Sequence, residues 1–548
     1  MASLNKRNRL QEEKTRGTAA LRMFMLSLGF AVLLPVSHAQ QQRADSAYSQ
    51  TVLSIQQHIE QSDLDGARSL IAKASKQFPA DGGLENLLGV VEIQQGHADR
   101  AKLAFAAAIK HNPKLIGAYM NLGRIDMQIA ASDPVARAEA TRLYEKVLLM
   151  DPSNAEANYQ SATLLMASQS YQRSLDRLAK LSAEDRNQAG EEALICADEA
   201  GLGHKAEADH AAAALAANPG MTELDVIEIQ PALHAGGRSD LVETILEAAG
   251  ERHPLSSEGL RAEGLAQEAE GKLEQARATL EHAFANDPSS VPLLVDLARV
   301  AEAAKDGTGA LGYLAHARDL QPKNASLPYQ FGGICLQLNL AGEARKALGD
   351  AVKLDPENPQ YNLALGVVSS YAQDPSEALP YLKKFHALRP TDASGMLALG
   401  TTYFRTKDFE TAKTWLKQAT NDLSTAASAH YYLGRTARLL DQLDEAAAQL
   451  TQSVALNSNR PEVLAELGQV YVQMKKYPDA QKQLDRAIKL DADNYTANFG
   501  LMQLYARTGD ARREEQSIYF RELRDKDEAQ YREMMRAIEI DPKDNSKK

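Results

Sequence analysis

The chain has little of the residue types on which small disulfide-rich or aromatic-rich folds depend. Its 548 residues include two cysteines, one tryptophan and 6% aromatic residues in all. A disulfide scaffold is therefore excluded, because such scaffolds need several cysteine pairs. Abundant alanine and leucine instead favour many helices that pack through small side chains.

The chain also has fewer basic than acidic residues. The chain carries 61 Lys and Arg against 73 Asp and Glu, which gives a formal net charge of −12. Nucleic-acid binding is not expected, because proteins that bind nucleic acids carry a basic patch or arm. No block of like charge is long enough to form such an arm or an acidic tail.

The sequence does have a repeat, which runs without insertion from residue 257 to residue 494 at a period of 34 (310 − 276 = 34). Its alanine column holds Ala276, Ala310, Ala344, Ala378, Ala412, Ala446 and Ala480. Four residues later, its leucine column holds Leu280, Leu314, Leu348, Leu382, Leu416, Leu450 and Leu484. Its column of small residues, which precedes the alanines, holds Gly264, Ala298, Gly332, Gly366, Gly400, Gly434 and Gly468. Its last column begins with Pro288, Pro322, Pro356 and Pro390 and continues with Ser424, Ser458 and Ala492.

These spacings have a physical meaning. Each unit holds two apolar-periodic runs of about a dozen residues, the pattern of a pair of amphipathic helices. A small residue on the first helix and an alanine on the second let the two backbones approach closely. The leucine one turn later fills the space beside that contact. The proline falls where the second helix must end. The pattern predicts stacked helix pairs.

This pattern resembles the tetratricopeptide repeat, whose 34-residue unit has the small residue, the alanine and the proline at these places. The resemblance implies an all-α, right-handed solenoid of stacked helix-turn-helix units that is irregular in the middle. Three units fit residues 48–154 and eleven fit 155–528, about fourteen in all. The unit 116–154 is five residues too long around 130–134, where Ser132 or Asp133 is expected to cap the second helix and Pro134 to occupy its first turn.

The repeat register predicts a division of the chain into six parts. These are a signal peptide at 1–39, a linker at 40–47, an N-terminal block with one loop insertion at 48–154, degenerate units at 155–256, a C-terminal block with a terminal capping helix at 257–528, and a charged tail at 529–548. Pro231 falls inside an expected first helix of the degenerate part. Two interpretations stay open: an irregular joint between two better-formed blocks, or plain divergence with helices that stack normally.

The N-terminus has the pattern of an export signal. An apolar run from residue 23 to residue 34 precedes Ser37-His38-Ala39, which has small residues at the two places that a signal peptidase reads. The basic residues before it are Lys6, Arg7, Arg9, Lys14, Arg16 and Arg22. The apolar run is short for a membrane span, which needs about 20 residues. We expect a cleaved signal and a bacterial periplasm or cell-envelope location; the alternative is an uncleaved inner-membrane anchor.

Cys196 and Cys335 fall at first-helix positions where the repeat needs a small residue. A disulfide would require their Cα atoms to lie within about 7 Å, which repeats this far apart in a stack do not allow. We expect both to be buried packing residues without a disulfide.

The repeats leave no stretch for a catalytic domain. No His-Glu-x-x-His motif, no Walker glycine loop and no closely spaced cysteine pair occurs. Gly201-Leu202-Gly203 imitates a dinucleotide fingerprint, but it lies between two predicted helices rather than after a strand. The sequence therefore predicts no enzyme activity, no cofactor and no metal.

The resemblance also implies where a ligand binds. In this family the first helices line a concave groove that holds peptide or protein segments. The groove-facing places hold Arg299, Tyr329, Tyr371, Phe404, Arg405, Tyr431, Arg435, Arg438 and Arg507, with Gln337, Gln473 and Phe499 beside them. Aromatic and arginine side chains suit anchor contacts. Arg405, Arg435 and Arg438 could form a cationic patch suited to carboxylates.

A structural interpretation of the same residues is also open, in which Arg438 pairs with Asp441 or Glu445 and Tyr329 belongs to the core. Three functions remain. The first is a noncatalytic interaction scaffold that binds a protein or peptide, as exported bacterial proteins of this family do in outer-membrane assembly, secretion, pilus formation or polysaccharide export. The second is polysaccharide binding, with tyrosines stacked on sugars and arginines on uronate carboxylates. The third is a regulatory subunit of an envelope enzyme complex.

Overall fold

A computed structural model of the chain describes residues 39–182 and 188–538. These residues form 28 α-helices and one 3-10 turn, Pro375–Ala378, and they contain no strand. The predicted signal peptide, except for Ala39, and the last ten residues of the predicted tail lie outside the described residues. The all-α fold class is therefore confirmed.

The chain divides into two compact units, of which the first ends at Met221. The helices of unit 1 are α1 (Ala39–Glu60), α2 (Leu64–Gln77), α3 (Gly82–Gln94), α4 (Ala98–His111), α5 (Ile116–Met127), α6 (Pro134–Met150), α7 (Ala155–Ala167), α8 (Tyr171–Leu178), α9 (Ala189–Leu202) and α10 (Lys205–Ala217).

Unit 2 begins at Thr222. Its helices are α11 (Glu223–Ala235), α12 (Ser239–Gly250), α13 (Ser257–Ala269), α14 (Leu273–Asn286), α15 (Val291–Ala303), α16 (Gly307–Leu320), α17 (Ser326–Gln337), α18 (Ala341–Leu354), α19 (Pro359–Ser369), α20 (Leu379–Leu388), α21 (Ala393–Arg405), α22 (Phe409–Ala419), α23 (Leu423–Leu439), α24 (Leu443–Leu456), α25 (Pro461–Gln473), α26 (Tyr477–Leu490), α27 (Tyr495–Thr508) and α28 (Arg513–Ile538).

Each odd-numbered helix packs on the even-numbered helix that follows it, so the described residues form fourteen helix pairs (28 / 2 = 14). This agrees with the predicted number of units. Within each unit, the second helix of one pair also packs on the first helix of the next. The odd-numbered helices are called first helices below.

The contact between the small column and the leucine column is confirmed. A Cβ atom added at Gly332 would lie 2.8 Å from Cγ of Leu348, and one added at Gly434 would lie 2.6 Å from Cγ of Leu450. Both leucines are buried. Glycine is needed at these places because the facing leucine of the second helix occupies the volume of a methyl group.

The helix ends also follow the sequence pattern. Asp133 caps α6 by accepting hydrogen bonds from the backbone N–H groups of Val135 and Ala136, and Pro134 occupies the first turn. The cap is thus Asp133 rather than Ser132. The prolines of the last column follow the ends of their second helices, as Pro322 follows Leu320 at the end of α16.

Three segments form helix where the sequence predicted a linker, a charged tail or a helix interrupted by proline. Residues 40–47, the predicted linker, lie inside α1. Helix α28 continues to Ile538, into the predicted charged tail. Pro231 lies inside α11, which continues for a turn beyond it. The boundary between the two compact units lies within 155–256, and the predicted irregular joint there stays a prediction.

Both cysteines are buried and neither forms a disulfide, as expected. The thiol of Cys196 lies 3.7 Å from the carbonyl oxygen of Ala208 on the second helix of its pair. In the part of the chain that the structure describes, no helix combines the length and the apolar character that a membrane span requires.

Candidate ligand-binding surface

All nine predicted groove residues lie in unit 2, on or just after its first helices. Their places are Arg299 on α15, Tyr329 on α17, Tyr371 just after α19, Phe404 and Arg405 on α21, Tyr431, Arg435 and Arg438 on α23, and Arg507 on α27. We call the surface that these side chains and their partners form the first-helix face. Whether it binds a ligand stays a prediction.

Arg299 and Tyr329 connect neighbouring first helices and offer little to a ligand. Arg299 pairs with Glu268 of α13 and, at 3.0 Å, with Asp296 of its own helix. The Tyr329 ring, which is half-buried, lies 4.9 Å from the Tyr361 ring of α19. These contacts hold one helix pair to the next.

Arg507 and Gln337 also connect neighbouring first helices, whereas Phe499 packs within its own helix pair and Gln473 is exposed. Arg507 donates a hydrogen bond to the carbonyl oxygen of Val472 on α25 at 3.2 Å. Gln337 donates to Glu302 at 2.6 Å. Phe499 lies 5.5 Å from Phe520, ring centroid to ring centroid. Gln473 is exposed at the end of α25.

The remaining residues converge on α21 and α23. Together with Tyr432 they form what we call the aromatic–arginine cluster: Tyr371, Phe404, Arg405, Tyr431, Tyr432, Arg435 and Arg438. Tyr432 was not among the predicted residues, although it is the direct neighbour of Tyr431 in the sequence.

An exposed cation–π contact forms one end of the cluster. The guanidinium carbon of Arg405 lies 3.8 Å from the centroid of the Tyr371 ring, and Tyr371 is 68% exposed. Such a contact is weak at an exposed site and keeps both groups accessible. Arg405 and Tyr371 therefore present a planar cation and a flat ring side by side.

Three aromatic rings surround Arg435 at the centre of the cluster. Its guanidinium carbon lies 5.0 Å from the ring centroid of Phe404, 5.4 Å from that of Tyr431 and 5.9 Å from that of Tyr432. The rings also contact one another, with centroids 5.4 Å apart for Phe404 and Tyr432. The guanidinium is thus held in place by packing as well as by charge.

A single buried carboxylate serves both arginines of α23. Oε1 of Glu466, on α25, lies 3.2 Å from Nε of Arg435, and Oε2 lies 3.0 Å from Nε of Arg438. Glu466 is 5% exposed. The sequence offered Asp441 and Glu445 as partners of Arg438, and the structure shows Glu466 instead. Glu445 pairs with Lys413 at 3.1 Å.

The charges of the cluster do not balance. Arg405, Arg435 and Arg438 carry three positive charges against the one negative charge of Glu466, which leaves two (3 − 1 = 2). Across residues 39–182 and 188–538, no hydrogen bond to the Nη atoms of these three arginines is found. Neighbouring Arg460 is matched by Glu462 at 2.7 Å. The cluster can therefore accept an anion from outside the chain.

Tyr431 belongs more to the core than to the surface. It is 8% exposed and packs in a cluster with Leu450 and Val463. Burial raises the pKa of its hydroxyl to about 12. Its ring forms the wall beside Arg435 and is not an open platform for a ligand, whereas Tyr371 is one.

Apolar side chains that sequence reasoning missed continue the first-helix face. Leu336, Val367 and Leu439 are 40%, 39% and 51% exposed. The register could have found them. Leu336 stands two repeats before Phe404 (404 − 336 = 68), and Val367 stands two repeats before Arg435 (435 − 367 = 68). The signal is present in the register, because these exposed apolar residues occupy the same places of the repeat as the polar and aromatic residues of the face.

A metal centre has no support in the described segments. Within them, no group of three or more His, Cys, Asp or Glu side chains has the arrangement that could hold a metal ion.

Comparison with known proteins identifies the repeat. Residues 397–461 and residues 437–495 each match a family model described as a tetratricopeptide repeat. No curated protein sequence matches the chain. The matched segment contains most of the aromatic–arginine cluster, from Phe404 to Arg438.

Three solved structures show similar arrangements at low identity. The hetero-tetramer Cut9-Hcn1 of the APC/C is 16% identical, with 85% of this chain and 98% of that chain covered and a TM-score of 0.37. Yeast Tom70 is 14% identical, with 79% and 97% covered and a TM-score of 0.34. PilF of Pseudomonas aeruginosa is 22% identical, with 40% and 97% covered and a TM-score of 0.33. Similarities of this size carry no conclusion about partners or function.

Proposed function

Because the chain is a tetratricopeptide-repeat protein, we propose that it is a noncatalytic scaffold that holds a segment of a partner protein on the first-helix face of unit 2. The observation that carries this proposal is the aromatic–arginine cluster. It has two positive charges without a counter-charge, and the exposed ring of Tyr371 lies beside them. Arginine and tyrosine dominate the energetics of protein interfaces because each combines a large contact area with directional polar groups.

The cluster is organised before any partner arrives. Phe404, Tyr431 and Tyr432 hold the Arg435 side chain, so little rotamer freedom remains to be lost on binding. Within the described residues, the Nη groups of Arg435 and Arg438 donate no hydrogen bond. A carboxylate of the partner would satisfy them with charge-assisted hydrogen bonds.

Capture of the partner from the native cell fraction tests this function. After mild crosslinking, the attached species are identified by mass spectrometry for the wild-type protein and for the triple variant Arg405→Ala, Arg435→Ala, Arg438→Ala. We expect one dominant protein partner with the wild type and its loss in the variant.

A matched control removes the same charge elsewhere in unit 2. Lys346, Lys383 and Lys417 are exposed on the second helices α18, α20 and α22. Their triple alanine variant is expected to keep the partner. If the arginine variant keeps the partner as well, the first-helix face of unit 2 is not the binding surface.

We also propose export to the periplasm or cell envelope of a bacterium. The support is the basic start, the apolar run and Ser37-His38-Ala39, all at the edge of or outside the described residues. Mass spectrometry of the mature N-terminus tests it. A chain that begins at Gln40 in the soluble envelope fraction is expected, and an intact N-terminus in the membrane fraction would indicate an anchor. An intact chain in the cytosol would overturn the proposal.

A further inference from the structure

The first-helix face has two chemically different halves, and we infer from them what its ligand is: an extended, acidic segment of a partner protein with apolar side chains at one end and carboxylates at the other. This inference rests on the proposed function and adds the chemistry and length of the segment. It follows from the exposed apolar side chains, from the arginines without a counter-charge, and from the side chains on either side of them, which already have partners.

The apolar half lies on α17 and α19. Leu336 and Val367 are each about two-fifths exposed and lead to Tyr371, which closes this half with its ring. At Gly333, on the same face of the repeat as Val367, an added Cβ atom would meet nothing within 4 Å. A ligand backbone can therefore approach closely there. Exposed apolar groups of this kind gain free energy when an apolar side chain covers them.

The cationic half lies on α21 and α23, with Leu439 at the end of α23 as its exposed apolar residue. Arg405 follows directly after the Tyr371 ring, and Arg435 and Arg438 stand one helix pair further on. Glu466 lies at ion-pair distance from the Nε atoms of Arg435 and Arg438 on the side of α25, without a hydrogen bond from either Nε. An incoming carboxylate would meet the remaining Nη donors, and the planar fork of arginine suits it better than a single ammonium would.

The face is bounded on both sides. Towards the start of unit 2, Arg261 pairs with Asp296 at 2.6 Å, and Arg299 pairs with the same Asp296 and with Glu268. That region is already neutralised and has no charge left for a ligand. On the other side, Arg460 pairs with Glu462 at 2.7 Å and Arg507 donates to the carbonyl oxygen of Val472 at 3.2 Å, so the arginines beyond α23 already have partners within the chain. The ligand therefore lies between α17 and α23.

These bounds set the length of the segment. Packed helices stand about 8–10 Å apart, so the three steps from α17 to α23 span on the order of 25–30 Å. An extended chain rises about 3.3 Å per residue, which gives about eight or nine residues. The apolar side chains and the carboxylates should occupy opposite ends of that length.

A polysaccharide fits this face less well than a peptide. Sugar binding would need several exposed rings, but Tyr431 is buried and only Tyr371 offers an open ring within the cluster. Leu336 and Val367 cannot hydrogen-bond sugar hydroxyls. The observations therefore favour a protein segment, and an acidic oligosaccharide becomes one outcome of the test.

Binding to synthetic probes tests the inference with the purified full chain. The probe is a fluorescent nine-residue peptide with leucines at one end and glutamates at the other, made in both chain directions. Its matched versions carry Gln for Glu or Ser for Leu, and a labelled oligogalacturonate represents an acidic glycan. Fluorescence anisotropy gives each Kd. We expect one direction of the acidic, apolar peptide to bind at least about tenfold more tightly than either matched version.

Two single variants separate the halves. Arg435→Gln is expected to weaken the preference for Glu over Gln and to leave the preference for Leu over Ser. Val367→Thr, which keeps the side-chain volume, is expected to do the reverse. Circular dichroism and thermal unfolding verify that both variants are folded. If each variant weakens every probe equally, the two halves are not separate and the inference is wrong.

The failures of the two proposals are distinguishable. If crosslinking captures a partner through the cluster but the bound segment has no carboxylates or no apolar end, the inference is overturned and the proposed function stands. If the glycan binds at least as tightly as the best peptide, the inference is overturned, and if crosslinking also captures no protein partner, the proposed function is overturned as well. A captured segment with both features, found at the first-helix face, supports both.

Discussion

Two adjacent glycines of α17 provide a matched test of how the helix pairs are held together. A Cβ atom at position 332 would lie 2.8 Å from Cγ of Leu348 and 3.3 Å from the backbone oxygen of Ala344. A Cβ atom at position 333 would meet nothing within 4 Å. Gly332→Ala and Gly333→Ala thus add the same methyl group to the same helix, once into a filled contact and once into open space.

The magnitudes follow from this geometry. Replacing glycine by alanine inside a helix stabilises it by about 0.5–1 kcal/mol, and both variants receive this gain. Overpacking a filled contact costs about 1–3 kcal/mol, and only Gly332→Ala pays this penalty because the Leu348 branch point and the Ala344 carbonyl cannot both move away. We therefore expect Gly333→Ala to be more stable than Gly332→Ala by about 1–3 kcal/mol.

Hydrogen exchange of the backbone amides is the suitable assay, because repeat proteins open locally and a whole-chain unfolding midpoint averages over many pairs. Protection of α18, Ala341–Leu354, is compared in the two variants and in the wild type. Protection is expected to fall in Gly332→Ala and to stay or rise in Gly333→Ala. Equal protection in the two variants would refute the close approach of α17 and α18 as the reason for the glycine column.

Three further predictions concern buried charge and the internal proline. Burial raises the pKa of Asp198 to about 8, although the Ser174 side chain acts to lower that pKa. As the pH rises, Asp198 ionises in the unfolded chain before it does so in the folded chain. The free energy of unfolding should therefore fall by up to about 1.4 kcal/mol per pH unit between pH of about 4 and about 8. Asp198→Asn should flatten this dependence in thermal unfolding, and an unchanged slope would contradict it. Pro231→Ala should stabilise α11 by up to about 3 kcal/mol, because it restores a backbone donor, and unchanged amide protection of α11 would count against this. Glu466→Gln should lower stability and tighten binding of the acidic peptide, because it leaves Arg435 and Arg438 without a counter-charge; weaker binding would contradict the assigned charge balance.

Much of the fold was predictable because its information is local. A 34-residue period identifies which residues share a face of a helix pair, since helical geometry relates residues that are near in sequence. The number of pairs and the Gly332–Leu348 contact follow from that relation, whereas the cap of α6 was predicted only as Ser132 or Asp133 and the structure shows Asp133. The burial of Cys335 follows in the same way, from its place on a first helix.

The candidate site was predictable as a set of positions but not as a set of contacts. The register places Arg438 on the first-helix face and suggested Asp441 or Glu445 as its partner, because both are close in sequence. The structure shows Glu466, on the next helix pair, because the nearest carboxylate in space belongs to the neighbouring repeat. Sequence spacing does not say how far one pair is rotated against the next.

The sequence by itself thus determined that the chain is a series of helix pairs, which residues line their first helices, and where each pair closes around glycine and leucine. Only the tertiary structure decided which of those side chains already have a partner or a place in the core. Arg299 has two carboxylates, Tyr431 is in the core, and Arg435 shares a single carboxylate with its neighbour. The reason is physical. A helix pair forms through contacts within one repeat, whereas the charge and exposure of its surface depend on what the next repeat brings against it.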